Sequence, residues 1–391
     1  MKKKIAFIYS EMTTGGVEKA LVNLLKVFDY DHYDVTLWLL RKGGELLSEV
    51  PEKVNIRFWG GVGPRAVVMD HLKKGHVFKM VGDLYRVTLI HLFKNNYSIA
   101  HKHLADMLPM VTEEIYDFFV VYHGWDFRCM YHSLRRFRAR NRILWLHNEP
   151  WEPAKYYRSY VGEFDKIFCV SESIRNQADQ LLSKYYGKNN MEVVHNIVDE
   201  GDVIRKSEEH IEELRHFSLV TVGRLGLEKG QEMVPEIVRK LLNNGMEVTW
   251  YLVGEGVKRS VIEENIARFD VADHVILLGL KANPYPYMRN CDLYVQPSFT
   301  EGYCTTTIEA KILHKPILVT DVPGMREQFQ HMENGYIVAS PTIDCLYEGI
   351  RTLIKDEALR RRFVKRLSDD TMLENEKEMR KLYDYLKENE D

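Results

Sequence analysis

Short apolar, β-branched runs alternate with stretches of helical periodicity along almost the whole chain. Runs at 4–9, 34–40, 54–58, 117–122, 142–147, 165–170 and 191–195 read as strands. A second series follows at 217–223, 247–253, 274–278, 291–295, 316–319 and 335–338. Strands that alternate with crossover helices build parallel sheets, so two such series predict two doubly wound α/β units in tandem. The pattern restarts after Asn196-Ile197-Val198-Asp199, and 199–216 is charged and polar, which places the expected hinge there. The expected division is residues 1–198, residues 199–372 and a C-terminal segment 373–391. In that last segment Leu373, Met379, Leu382, Tyr383 and Leu386 recur among Glu and Lys as an amphipathic helix.

Parallel sheets of this kind bind ligands at the carboxyl ends of their strands, so the residues after each strand are where chemistry is sought. The run Cys291 to Val295 is followed by Ser298-Phe299-Thr300-Glu301-Gly302-Tyr303-Cys304-Thr305-Thr306-Thr307-Ile308-Glu309-Ala310. This reads as a tight turn carrying Glu301 and then a helix with Glu309 about two turns in. Thr305 and Glu309 are four apart and share a helix face. The N–H groups of the first helical turn, expected from Gly302 through Tyr303 and Cys304 to Thr305, suit phosphate or sugar oxygens. An anion site between two carboxylates that can grip hydroxyls fits a nucleotide sugar.

Other strand ends add to this. In Thr221-Val222-Gly223-Arg224-Leu225-Gly226-Leu227-Glu228-Lys229-Gly230, Arg224 can fork onto phosphate oxygens and Lys229 can add a point charge. A diphosphate leaving group gains charge as a glycosidic bond breaks, so fixed cations there favour the transition state over the ground state. Gly16, in Thr14-Gly15-Gly16, opens a helix after the first strand, and Val253-Gly254-Glu255-Gly256 is a second glycine-rich strand end that lacks the dinucleotide fingerprint. His123 and His147 each end an apolar run.

These segments together resemble the retaining glycosyltransferases of GT-B fold, family 4. The two-glutamate stretch and the Gly-Arg-Leu…Lys-Gly stretch carry the likeness most specifically, and the segment 64–107 carries almost none. Cys304 stands where the family often has Gly, and Thr305-Thr306 replaces a frequent Leu-Pro. The resemblance implies two Rossmann-like domains facing a central cleft, the first taking the acceptor and the second the nucleotide sugar, with the final helix returning to the first. It implies that Glu301 contacts the donor sugar and Glu309 the ribose. By the same likeness Arg224 and Lys229 hold the diphosphate, Gly16 lies near the donor phosphate, and His147 hydrogen-bonds the sugar near the reacting carbon. The expected activity is transfer from a nucleotide diphosphate sugar, UDP-linked, to a lipid-linked or polysaccharide acceptor with retention of configuration. A sugar-nucleotide epimerase and a non-catalytic partner subunit on the same fold are the alternatives.

Composition narrows the setting. The 391 residues are 45% hydrophobic and 28% charged, as in a soluble globular protein, and the net charge of −3 does not indicate nucleic-acid binding. Residues 1–200 hold 28 Lys and Arg against 24 acids, and the remainder 26 against 33. Five scattered cysteines (129, 169, 291, 304, 345) without a Cys-x-x-Cys pair suggest reduced thiols in the cytoplasm, with neither disulfides nor zinc. No apolar stretch approaches the ~18 residues of a membrane span. Asp29-Tyr30-Asp31 could imitate a metal–diphosphate site, but it precedes a strand and so lies at the edge away from ligands. Transfer without metal or cofactor is therefore expected.

Two basic, aromatic segments have two readings. In 64–107, Val77, Met80, Val81, Leu84 and Tyr85 recur beside Lys73, Lys74, Lys79 and Arg86. Arg128 to Arg142 holds six arginines and no acid, with Met130, Tyr131, Leu134 and Phe137 interleaved. Either this face docks peripherally on an anionic inner leaflet and collects a lipid-linked acceptor, or the helices face the core and solvate a basic side.

Overall fold

The computed structural model describes residues 2–60, 64–92, 97–150, 158–186, 190–370 and 372–389. The chain divides into two units: Met1–His195 together with Arg380–Asp391, and Asn196–Met379.

The first unit is built on seven parallel strands: β1 (Lys3–Tyr9), β2 (Tyr33–Leu39), β3 (Asn55–Phe58), β4 (Ile115–Val121), β5 (Arg138–Leu146), β6 (Lys166–Cys169) and β7 (Met191–Val193). Their order is β3-β2-β1-β4-β5-β6-β7. The run Ile5 to Ile8 is fully buried. Such an unbroken apolar run is what a central strand covered on both faces requires. Late residues complete this unit. Leu382 and Leu386 of the helix Met372–Glu388 are fully buried. The Tyr383 hydroxyl accepts the Asp29 N–H at 2.7 Å, and its ring stacks on Tyr33 with centroids 6.0 Å apart. Asp29 itself closes a turn, its Oδ1 accepting the Asp31 N–H at 3.0 Å.

The second unit has six parallel strands: β8 (Phe217–Val222), β9 (Val248–Val253), β10 (Val275–Gly279), β11 (Leu293–Gln296), β12 (Ile317–Thr320) and β13 (Tyr336–Val338). Their order is β10-β9-β8-β11-β12-β13, so the direction of winding reverses between β8 and β11. Successive strand residues face opposite sides, and each side has its own core. Leu219, Trp250 and Leu252 pack on one side with Ile237, Val238 and Leu241, while Val220, Tyr294 and Val319 pack on the other with Met288 and Met325. The helix Val234–Asn243 shows why it forms: Val234, Ile237, Val238 and Leu241 make one buried stripe at helical spacing. Each such side chain contributes about 1.5–3 kcal/mol on burial.

One expectation needs correction, and one open reading is decided. The polar stretch after residue 199 is not a linker over its first half. The Asp199 side chain caps the helix Glu200–Ser207 by accepting the Asp202 N–H at 3.0 Å, and Val203 and Ser207 of that helix are buried in the second unit. The division between units falls at 195/196 and again at 379/380 rather than at 198 and 372. For the arginine-rich segment from Arg128, the core-facing one of the two readings is observed. Asp126 caps the helix Phe127–Arg136, and Met130, Tyr131, Leu134 and Phe137 are all core residues. Its arginines are answered locally: Arg135 pairs with Glu163 at 3.0 Å, Arg138 with Glu113 at 3.3 Å and Arg140 with Asp117 at 3.5 Å. The buried Arg136 lies over Trp59 and donates to the Pro109 carbonyl at 3.0 Å. Among the described residues no helix is long and apolar enough to cross a membrane.

Candidate active site

The carboxyl ends of β8 and β11 flank the switch point of the second sheet, where doubly wound folds open a crevice. Residues 223–230 leave β8, and residues 297–304 leave β11. The two loops touch. The Phe299 N–H donates to the Glu228 carbonyl at 2.8 Å. Gly230 takes a left-handed φ of 69°, and a Cβ there would lie 2.2 Å from the Pro297 carbonyl oxygen, so only glycine fits. At Gly324, in the turn after β12, a Cβ would lie 2.4 Å from the Gly302 carbonyl oxygen.

This packing brings Lys229 onto Glu301. The ammonium donates to both carboxylate oxygens, at 2.7 and 2.9 Å, and the side chains are 19% and 8% exposed. Burial acts to lower the Lys229 pKa, but the charge and hydrogen bond of Glu301, with Cys304 and Glu228 adding to them, together outweigh it and leave the pKa raised. Glu301 also accepts from Ser298 Oγ at 2.6 Å and from Gln296 Nε2 at 3.4 Å, and Tyr294 OH donates to Gln296 Oε1 at 2.9 Å. The result is a connected polar network inside an otherwise apolar sheet end. Arg224 differs from Lys229: its guanidinium is largely exposed and holds Glu228 at 2.6 Å, and the Glu228 pKa is lowered although burial opposes this.

The helix after this loop starts later than its sequence suggests. It runs Thr305–Ile312 with Cys304 at the N-cap, and no side chain caps it. Gly302 and Tyr303 therefore precede the helix, and the Tyr303 carbonyl accepts from Asn196 Nδ2 at 2.8 Å. The first-turn amides belong to Thr305, Thr306 and Thr307, so Thr305 remains from the expected set while Gly302 and Tyr303 fall before the helix. Glu309 is consequently the fifth helical residue, in the second turn. It is fully buried, with Tyr285 OH 3.3 Å from its Oε1. Cys304 is a buried thiol with its pKa pushed up to about 11, by burial first and then by Glu301, so it is not an activated nucleophile.

Sequence reasoning missed Gln296, Ser298 and Tyr285. A signal existed: Tyr294, Gln296 and Ser298 alternate along the end of β11, so one strand face turns polar where it meets the loop.

In the first unit, His147 directly follows β5 and is 6% exposed. Neither ring nitrogen has a hydrogen-bond partner of ordinary geometry. Burial, helped by the nearby His123, lowers its pKa to about 3, the Tyr122 backbone opposing the shift. His147 is thus a neutral imidazole at pH 7, held against Tyr122 with ring centroids 4.3 Å apart. His123 follows β4 and stacks on Tyr9 with centroids 4.6 Å apart; burial lowers its pKa too. Gly16 opens the helix Gly16–Lys26, as its sequence context predicts. The adjoining Thr14 N–H already donates to Glu45 Oε2 at 3.1 Å.

Known proteins share this framework. Residues 203–368 match the family profile of Glycosyl transferases group 1. The N-acetylgalactosamine-N,N'-diacetylbacillosaminyl-diphospho-undecaprenol 4-alpha-N-acetylgalactosaminyltransferase of Campylobacter jejuni is 27% identical over 173 residues, 44% of this chain and 46% of that protein. The capsular polysaccharide biosynthesis glycosyltransferase CapM of Staphylococcus aureus is 26% identical over 222 residues, 53% of this chain and 58% of that protein. The matches span about half the length of these two curated relatives. Among solved structures, Anabaena HepE in complex with UDP superposes with a TM-score of 0.70 at 16% identity, covering 98% of this chain and 100% of that one. The chain is an α/β protein of GT-B fold, built from two parallel-sheet Rossmann-like units, and its residues 203–368 are similar to the group 1 glycosyltransferases.

Proposed function

We propose that this protein is a retaining glycosyltransferase of the family 4 type. It moves a sugar from a UDP-linked donor to a lipid-linked or polysaccharide acceptor. The observation that carries this reading is the grouping at the second sheet's switch point. There the Lys229–Glu301 pair, the uncapped helix start at Thr305 and the buried Glu309 occupy successive positions after β11 and β8. The pair stores a cation and a carboxylate ready to part. A diphosphate draws Lys229, with Arg224 beside it, and Glu301 turns to sugar hydroxyls. The Thr305–Thr307 amides meet phosphate oxygens, and Glu309 takes the ribose diol. Charge that develops on the departing diphosphate is met by these fixed cations and dipoles, so the transfer needs no metal. The Campylobacter relative is named for a diphospho-undecaprenol acceptor and CapM for capsular polysaccharide, which supports that acceptor class.

Thermal unfolding with UDP, GDP, ADP and CMP at millimolar concentration tests the donor. At about 100 times its dissociation constant, UDP stabilises by roughly 2.7 kcal/mol, on the order of 5–10 °C for a unit of this size. No shift with UDP overturns the assignment. Proton NMR of the transferred sugar then tests retention, and an inverted anomer refutes it.

A second observation bears on where the enzyme works. The helix Val77–Leu92 is inverted: Val77, Phe78, Val81, Leu84, Tyr85 and Leu92 are exposed, Phe78 at 94%, while Asp83 is buried. His71 Nδ1 lies 2.6 Å from Asp83, and Arg86 lies 3.7 Å away. Beside this stripe a groove of about 700 Å³ is lined by Lys79, Arg86, His71 and His103, together with Asp83 and Asp106. An exposed apolar stripe with Lys79 and Arg86 beside it fits an anionic membrane surface. Each apolar side chain buried there contributes roughly 1.5–3 kcal/mol and each nearby cation about 1 kcal/mol. The helix therefore docks on the cytoplasmic leaflet. Sedimentation with anionic vesicles should deplete the parent protein but not a Phe78→Glu, Val81→Glu variant. Equal, negligible binding of the parent to anionic and neutral vesicles overturns docking.

A further inference from the structure

The opposite edge of the second sheet holds a cluster that sugar transfer does not use. Three neighbouring strands, β8, β9 and β10, are each preceded by a potential metal ligand: His216 before Phe217, Glu247 before Val248 and His274 before Val275. One ligand atom from each lies within 4.8 Å of the other two. Adjacent strands lie about 4.8 Å apart; Phe217 is aligned with Val248, which sets His216 beside Glu247, and Val275 is aligned with Trp250, which sets His274 level with Thr249, the next residue on the same face as Glu247.

The ring orientations match those of bound imidazoles. His274 Nδ1 lies 2.7 Å from the Val248 carbonyl, which can only accept, so Nδ1 donates there and Nε2 is the atom left for an ion. His216 Nδ1 is 2.9 Å from Thr249 Oγ1, which leaves its Nε2 as the remaining ligand atom. Metal-bound histidines characteristically anchor their second nitrogen in this way, which fixes tautomer and ring direction. The two rings lie face to face, 23° from parallel with centroids 5.5 Å apart. His216 holds a left-handed φ of 55°. Glu247 is exposed on the same edge, and rotation of its side chain supplies the closing movement that bonds of about 2.0–2.2 Å require.

We propose that His216, Glu247 and His274 bind one divalent transition-metal ion of the zinc class. Two imidazoles and one carboxylate suit borderline ions rather than calcium or magnesium. Three protein ligands leave a position for water. The strand β8 spans six residues, so the ion sits roughly 20 Å from Arg224 and acts as a clasp on the entries of three core strands.

Titration with Co²⁺ alone, followed by its visible absorption, tests this, with Zn²⁺ displacing it. The parent should bind one Co²⁺ per chain at this site and unfold at a higher temperature with Zn²⁺ present. Glu247→Gln leaves an exposed position exposed, and His216→Asn keeps a residue that tolerates positive φ and can still bond Thr249. Each should unfold without metal as the parent does, yet bind at least about tenfold more weakly. Absence of stoichiometric binding by the parent overturns the proposal. So does binding unchanged in both variants, which would be adventitious capture elsewhere among the 15 histidines and five cysteines.

Discussion

Lys229→Met removes the ammonium that Glu301 grips with both oxygens and leaves a carboxylate only 8% exposed. Breaking a buried pair from one side costs about 3–5 kcal/mol because the remaining charge loses its partner. Here Ser298 Oγ still donates to Glu301 at 2.6 Å and Gln296 Nε2 at 3.4 Å, which places the loss near the lower limit, about 3 kcal/mol. That corresponds to roughly 6–12 °C in the unfolding of the second unit. Adding Glu301→Gln removes the stranded charge and should restore about 2 kcal/mol. The pair's contribution also has a pH signature. The folded Lys229 pKa is raised above 10.5, so the stabilisation is complete below that pH and is lost as pH climbs through the folded value. Urea unfolding of the parent, both single variants and the double variant measures the coupling, and transfer from a UDP-sugar is followed in parallel. The double variant should be stable yet inactive, which separates folding from chemistry. A coupling below about 0.5 kcal/mol, or parental transfer by the double variant, would refute the reasoning.

His147 predicts acid lability. Its pKa of about 3 when folded against 6.5 when exposed means that the unfolded chain binds a proton that the native chain does not. Stability is therefore lost as pH falls from 6.5 toward 3, by about 4–5 kcal/mol in full. His147→Gln should flatten the urea midpoint over that range, and an unchanged slope would contradict the burial argument. Glu309→Ala should weaken UDP binding about tenfold to a hundredfold, the worth of a charge-assisted hydrogen bond or two. By calorimetry that variant should no longer distinguish UDP from its 2',3'-dideoxy analogue; continued discrimination places the ribose elsewhere.

The strands were readable because parallel, doubly covered sheets write themselves as unbroken apolar runs. β1, β9 and β12 are such runs. The spacing of Glu301 and Glu309 was equally plain. The start of the intervening helix was not, because Cys304 lacks a capping side chain and no local signal marks Thr305 as the first helical residue. Periodicity also cannot say which side of an amphipathic helix meets the core. Met130 and Leu134 turned inward as an ordinary stripe does, whereas the helix Val77–Leu92 buries Asp83 and shows Phe78. The pairing of Lys229 with Glu301 joins positions 72 residues apart, and only the strand order of β8 beside β11 brings them together.

The return of residues 380–389 to the first unit has a consequence for how the protein is made. Phe28 and Tyr33 pack against Tyr383, and Phe168 packs against Tyr385. These aromatic surfaces stay uncovered on the ribosome until the whole second unit has been synthesised. Topologically the second unit is an insertion within the first, free to fold while the first waits for its last helix. Expressing residues 1–195 alone would leave that apolar seam open to aggregation, whereas residues 196–379 carry their own two-sided core.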